Sequence, residues 1–391
     1  MHICFISQEY PPETGWGGVG AYTFETAHAL ADAGSQVTVI SRAVGPESIS
    51  HEGGVEVHRI SPQPTWDKVH FFWRLNRIWP GFSWSAMLRA RAVHRRRPID
   101  IIEAAEVRAD GFFVGLWPGR PKFVARLHTA QIFVDAFNSI PRHRVRRLNY
   151  WLEKQAIKRA NLITAPSKAV LDLTRTWLRL EEKRTRIVPN SISSRQFIPG
   201  NGQRVERVLF VGRLERNKGA ETILRALPLL LPEFPALEFL FVGSDGPDHD
   251  GVSWRTKILQ SLQPADRLRV RFETMSRAEL AGAYGCAAVC ILPSKWENAP
   301  YAALEAMACG TPVIACNNGG TPEIIEDGVH GFLVPVDDPA ALAARVSAVL
   351  TQPALRRRLG NSARQRIEQT FSVERVLPKM LAAYEYAIAH G

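Results

Sequence analysis

The segment Ser294–Pro312 reads SKWENAPYAALEAMACGTP and follows an apolar, strand-like run. Its two carboxylates, Glu297 and Glu305, are separated by seven residues. Pro300 is suited to precede a helix beginning at Tyr301, and Gly310 with Pro312 to stop it. Glu297 then falls in a strand–helix loop and Glu305 one turn inside the helix, so both can face one crevice. An ionised carboxylate only accepts hydrogen bonds, which suits it to grip sugar or ribose hydroxyls. The plain alternative is one surface Glu and one helix-face Glu.

A second stretch, Val211-Gly-Arg213-Leu-Glu215-Arg-Asn217-Lys218-Gly219, lacks the Gly before Lys and the Ser/Thr after it that a Walker A loop needs. Arg213 and Lys218 still stand between a strand end and a helix start, where a guanidinium fork and a point charge can hold a diphosphate. Two solvated surface cations are the alternative. A third stretch, Gly15-Trp-Gly17-Gly18-Val-Gly20, formally matches G-x-G-x-x-G. Seven residues, Gln8–Thr14, separate it from the first strand, and Ser41-Arg42 stands where a ribose-binding acid is expected. A nicotinamide or flavin site is therefore disfavoured. Backbone amides at Gly17 and Gly18, backed by a helix start, still suit a phosphate or carboxylate; an empty flexible loop is the alternative.

These loops need strands and helices to aim them. Strand-like runs occur at His2–Ser7, Gln36–Ser41, Val55–Ile60, Ile99–Glu103, Lys122–Leu127, Asn161–Ala165 and Arg186–Val188. They recur at Arg207–Val211, Leu237–Val242, Arg269–Phe272, Ala287–Leu292 and Pro312–Ala315. Several are continuously apolar, as parallel strands covered on both faces must be. Helical patterns such as Gly20–Gly34 and Gly219–Leu231 alternate with them, predicting doubly wound α/β layers. The polar stretch Ser191–Val205 separates two complete series. The expected domains are 1–195 with the amphipathic helix 373–391, and 203–370. Their strand ends are expected to face each other across a cleft.

The chain has 391 residues, 46% of them apolar and 22% charged, which excludes wholesale disorder. No apolar run approaches the ~20 residues that span a bilayer, and no signal-peptide pattern opens the chain. A cytoplasmic location is expected. Lys and Arg number 49 against 38 acids, a net charge of +11, which points to an anionic partner. Much of the excess lies in Trp66–Arg97, with eight cations against Asp67, and in Arg142–Arg159, with seven against Glu153. Interleaved Trp and Phe suit an anionic membrane surface, on the inner face of the cytoplasmic membrane. Nucleic acid is the weaker partner because no recognition module accompanies the charge. A packed helical layer with a charged outer face is the third reading. The five cysteines, at 4, 286, 290, 309 and 316, read as buried free thiols, and no zinc spacing is present.

Together the motifs resemble the retaining GT-B glycosyltransferases of family 4 (group 1). The resemblance rests on Gly17-Gly18-Val19-Gly20, Val188-Pro189-Asn190, Gly212-Arg213…Lys218-Gly219, Glu297/Glu305, Gly310-Thr-Pro312-Val313 and Gly319-Gly320…Glu323-Ile324-Ile325. It covers essentially the whole chain. It implies that Arg213 and Lys218 hold the donor diphosphate, helped by amides at Gly17-Gly18 and Tyr301-Ala302. It implies Glu305 on the nucleotide ribose and Glu297 near the donor sugar. His128, in Arg126-Leu-His128-Thr129, matches the family's cleft histidine; without the resemblance it reads as a satisfied histidine at a strand end. Asn298-Ala299-Pro300 departs from the family's Gly-Phe-Gly, and Pro300 has no N–H. That loop's contacts to the donor sugar are therefore not carried over.

The reaction implied is transfer of a sugar from a UDP- or GDP-linked donor to a hydroxyl of a lipid-linked or cell-envelope glycan. Fixed cations would stabilise charge growing on the departing diphosphate. With no nucleophile evident on the sugar's other face, front-face transfer with retention is expected, without metal or cofactor. A same-fold sugar-nucleotide epimerase, an oxidoreductase using Gly15–Gly20 and a non-catalytic nucleotide-sugar binder are the alternatives.

Overall fold

The structure is a computed structural model and describes residues 1–61, 79–141, 144–200 and 204–390. The chain divides into two compact units, Met1–Ser191 with Val376–Gly391, and Ile192–Arg375. Each is built on a single sheet. In the first unit the strands are β1 (His2–Ile6), β2 (Gln36–Arg42), β3 (Ser48–Glu52), β4 (Val55–Ile60), β5 (Ile101–Ala105), β6 (Lys122–Arg126), β7 (Leu162–Ala165) and β8 (Thr185–Ile187). Their order is β3-β4-β2-β1-β5-β6-β7-β8, parallel throughout except for the antiparallel β3–β4 pair. β1 and β5 are buried at every residue, which matches their apolar sequences and their central places. β3 reads SISHE and its one large apolar residue, Ile49, is exposed. It carries no core signal, which is why the sequence reading passes over it. A short polar edge strand discourages pairing with other chains.

The second unit holds β9 (Val205–Val211), β10 (Glu238–Val242), β11 (Val270–Glu273), β12 (Ala287–Leu292), β13 (Val313–Cys316) and β14 (Gly331–Val334). The order β11-β10-β9-β12-β13-β14 is fully parallel. Counted within the unit it is 3-2-1-4-5-6, the doubly wound order of dinucleotide-binding sheets. β14, GFLV, is passed over in the sequence reading. In such sheets ligands bind beyond the carboxyl ends of the strands, where the strand order reverses. Those points lie between β1 and β5 in one unit and between β9 and β12 in the other.

The terminal helix, Val373–His390, returns to the first unit. Val376, Met380, Ala383, Tyr384 and Ala387 line its buried face at helical spacing. Tyr384 ends in a hydrogen bond to Glu103 on β5, Oη to Oε2 at 2.9 Å. The other Glu103 oxygen accepts from the Tyr22 hydroxyl at 2.6 Å. Burial raises the Glu103 carboxyl above the usual range, so these two donors matter to it.

The expectation of five buried thiols needs one correction. Cys286, the last residue of the helix Arg277–Cys286, is exposed; the other four are buried. Burial pushes the Cys309 and Cys316 thiols up to about 12. Of the stretch 66–97, residues 66–78 lie outside the described residues. The helix Trp79–Arg96 buries Phe82, Ala86, Met87, Ala90 and Val93 while Arg95, Arg96 and Arg97 are exposed, so this part is a packed layer with a charged outer face. The helix Arg144–Arg159 differs: Arg144, Arg147, Leu148 and Trp151 share an exposed face. Among the described residues no helix is long and apolar enough to cross a membrane.

Tyr384→Phe removes one of the two hydroxyl donors from a buried carboxylate. The expected cost is about 1–3 kcal/mol, read as a lower urea midpoint, with secondary structure by circular dichroism unchanged.

Candidate active site

In the second unit the candidate residues sit on the loops that follow β9, β12 and β13. The loop after β9 carries Gly212 and Arg213, makes a short turn at Arg216–Lys218, and enters the helix Ala220–Leu230. Gly219 joins turn to helix with φ +79°, a left-handed conformation. A Cβ there would strike the Pro293 carbonyl oxygen in the loop after β12. Beside it, the Lys295 N–H donates to the Asn217 carbonyl at 2.8 Å. The loop after β13 closes in from the other side. Gly319, at φ +61°, leaves no room for a Cβ against the Glu297 carbonyl oxygen, and the Gly320 N–H donates to that oxygen at 2.8 Å. The Asn318 amide donates to the Lys295 carbonyl at 2.6 Å.

This clamp sets the central contact. Lys218 Nζ lies 2.6 Å from Glu297 Oε1, and the Ser294 hydroxyl donates to the same oxygen at 2.8 Å. The Glu297 side chain is only 13% exposed and that of Lys218 26%, so the pair is shielded without being sealed. Arg213 is the more open cation, 68% exposed, and meets Glu215 at 3.1 Å. Asn298 turns its amide oxygen back onto the Ala299 N–H at 2.5 Å. Pro300 caps the helix Tyr301–Ala308, with Tyr301 and Ala302 in its first turn.

Glu305 lies inside that helix as its spacing predicts, but its described partners differ from those of Glu297. Its side chain is 7% exposed; it accepts from the Tyr284 hydroxyl at 2.9 Å and faces Arg277 at 3.4 Å. Arg277 in turn lies over the Phe197 ring. The sequence reading has neither Tyr284 nor Arg277. They come from a neighbouring helix, 21 and 28 residues away, and nothing local marks them.

The first unit carries the other candidates. Gly17 caps the helix Gly18–Asp32, and both Gly17 and Gly18 are exposed. His128 follows β6. Its ring lies edge-on to Tyr22, with centroids 5.2 Å apart. Desolvation, reinforced by the Arg126 guanidinium, lowers its pKa to about 3, so the imidazole is neutral at physiological pH. The His128 N–H donates to both Glu106 carboxylate oxygens at 2.7 Å. Glu106, just past β5, is absent from the sequence reading, which ends that strand at Glu103.

Two sheets, parallel but for one edge pair and in doubly wound order, make the GT-B architecture. A profile of the glycosyl transferases group 1 matches residues 191–366, and one of glycosyltransferase family 4 matches residues 16–196. The D-inositol 3-phosphate glycosyltransferase of Geodermatophilus obscurus is 30% identical over 399 aligned residues, covering 95% of this chain and 85% of that protein. The spore coat protein SA of Bacillus subtilis is 34% identical over 182 residues, 46% of this chain and 48% of that one. Among solved structures, sucrose-phosphate synthase from Thermosynechococcus elongatus superposes with a TM-score of 0.79 at 25% identity, covering all of both chains. Anabaena HepE, solved in complex with UDP-glucose, gives 0.74 at 19% identity over 98% of this chain and 99% of that one. The chain belongs to the group 1, family 4 glycosyltransferases, and so transfers a sugar from a nucleotide sugar. That assignment replaces the oxidoreductase reading of Gly15–Gly20.

Gly319→Ala tests the clamp. The left-handed backbone alone costs a non-glycine residue about 1–3 kcal/mol, and the new methyl displaces the Glu297 carbonyl. A lower melting temperature together with weaker nucleoside-diphosphate binding is expected, read by differential scanning fluorimetry and calorimetric titration.

Proposed function

We propose that the chain transfers a sugar from a UDP- or GDP-linked donor to an acceptor hydroxyl with retention of configuration, without metal or cofactor. The observation that carries this is the Lys218–Glu297 pair, held at 2.6 Å beside the point where the second sheet reverses its strand order. In this reading the resting pair is a charge balance. An incoming diphosphate offers Lys218 a stronger anion, and Glu297 is released to accept from hydroxyls of the donor sugar. Arg213, whose only described ion-pair partner is Glu215, adds a bidentate fork. Amides at the first turn of the helix Tyr301–Ala308 complete the diphosphate grip, with Glu305 on the ribose and Asn298 and Ala299 bordering the sugar.

Acceptor binding falls to the first unit. Gly17 and Gly18, the donor-binding glycines of the sequence reading, present the opening amides of a fifteen-residue helix to a phosphate. His128, being neutral, serves as a hydrogen-bonding partner for a sugar hydroxyl. The chemistry then proceeds on one face. The anomeric C–O bond to the diphosphate breaks, the cations stabilise the departing charge, the acceptor oxygen bonds to the anomeric carbon from that same face, and the leaving phosphate oxygen takes the acceptor proton. The relatives named as D-inositol 3-phosphate glycosyltransferases support an acceptor that is a phosphorylated polyol or a larger envelope glycan. A lipid-linked acceptor is favoured by one feature: Leu148 and Trp151 are exposed on the same helix face as Arg144 and Arg147, a pattern that suits an anionic lipid surface.

Lys218→Ala should weaken UDP or GDP binding at least tenfold, about 1.4 kcal/mol, in calorimetric titration, while EDTA leaves turnover of the wild type unchanged. Equal affinity in wild type and variant removes the diphosphate site. Isomerised donor appearing without any acceptor would make the protein an epimerase instead. Trp151→Ser should reduce co-sedimentation with phosphatidylglycerol vesicles severalfold and leave neutral vesicles unaffected.

A further inference from the structure

The first unit buries more carboxylates than its packing requires. Glu106, Asp110, Asp135 and Glu153 are each 2% exposed or less and cluster where the strand order reverses between β1 and β5. A buried carboxylate is costly unless its oxygens are satisfied. Asp110 accepts from the Gln8 N–H and side-chain amide, and Asp135 from the side chains of Gln131, Arg146 and Tyr150, whereas Glu106 and Glu153 take backbone N–H groups of the segments around His128. Glu106 accepts from the His128 N–H with both oxygens at 2.7 Å and from the Thr129 N–H at 2.8 Å. Glu153, on the helix Arg144–Arg159, accepts from Arg108 N–H with one oxygen and Gln131 N–H with the other, both at 2.9 Å.

The backbone these oxygens hold is strained. Thr129 has φ +99°, and Arg108 and Ala109 have φ +63° and +53°. None is glycine, and such conformations persist only where the surroundings over-determine them. Thr129, next to His128, is anchored by the Glu106 carboxylate and Arg108 by that of Glu153, while the Ala109 N–H donates to the Glu106 backbone carbonyl. Burial raises the Glu106 carboxyl to about 7 despite its hydrogen bonds, so it titrates near neutral pH and is ionised above it. Around it stand Glu153, Arg108 and Asp110, with Arg126 next to His128.

We propose that Glu106 is a positioning residue for sugar transfer: its carboxylate bridges the ends of β5 and β6 and holds the His128-Thr129 backbone, and with it the imidazole, in one fixed conformation. Glu153 does the same for the neighbouring Arg108 and Gln131. This rests on the assignment of His128 to the transfer site. Glu106 touches no reacting atom; it acts through His128. A carboxylate suits the task because it offers only acceptors to two adjacent N–H donors, whereas an amide would turn an NH2 group toward one of them.

The test has two arms. In the first, hydrogen exchange of wild type and Glu106→Gln is followed by NMR. The His128 and Thr129 amides should lose at least tenfold of their protection, while the Asn161 amide, bonded to the Phe123 carbonyl at the far end of β6, keeps its own. Unchanged protection at both positions overturns the proposal. In the second arm, release of nucleoside diphosphate from UDP-glucose or GDP-mannose is measured for Glu106→Gln, His128→Ala and the double variant. Each single variant should lower kcat 10- to 100-fold with KM within threefold, and the double should fall no further than the worse single. Multiplying effects would show that Glu106 acts independently of His128 and overturn the proposal. Glu106→Asp, which keeps the charge but shortens the reach, should give the same exchange pattern if the Gln variant does not fold. No release from either donor by the wild type would sink the transfer reading itself, and the exchange arm still decides what Glu106 holds.

Discussion

The second unit depends on backbone approaching backbone more closely than any side chain permits. The loop after β12 is gripped between the loops after β9 and β13, with Gly219 against the Pro293 carbonyl and Gly319 against that of Glu297. Hydrogen bonds from Lys295 to Asn217, and from Asn318 and Gly320 back into the loop, lock the three strands' ends into one rigid block. Only then does a lysine from one loop meet a carboxylate 79 residues further along the chain. The pair is partly shielded, so its attraction is screened less than that of a surface pair.

The first unit solves a different problem with buried carboxylates. Glu103 takes two tyrosine hydroxyls, one from the helix Gly18–Asp32 and one from the terminal helix, and so ties the end of the chain to the central strand. Arg126, fully buried on β6, lies over the Tyr22 ring and donates to the Val188 carbonyl and to Asn190. Those contacts anchor the segment that leaves the unit at Ser191. Both ends of the unit's chain, where it departs and where it returns, are thus fastened to the same sheet that carries His128. Loop, helix and strand there share a polar interior whose members satisfy one another, a high-stakes arrangement when any one is removed.

What the sequence alone determined was whatever is encoded locally. Continuous apolar runs marked the parallel strands because both faces of β1, β5 and β12 are covered. Pro300 and Gly310 marked the ends of one helix because a missing N–H and a free backbone act at their own positions. The spacing of Glu297 and Glu305 placed one acid in a loop and the other in the helix that follows. β3 went unread because a polar edge strand carries almost no core pattern. Tertiary structure alone decided the partners: Tyr284 and Arg277 for Glu305, Lys218 for Glu297, Glu106 for His128. Only the strand order, set by crossovers of a whole β–α unit, brings such distant residues together. A carboxylate's neighbours across a sheet leave no trace in the residues beside it.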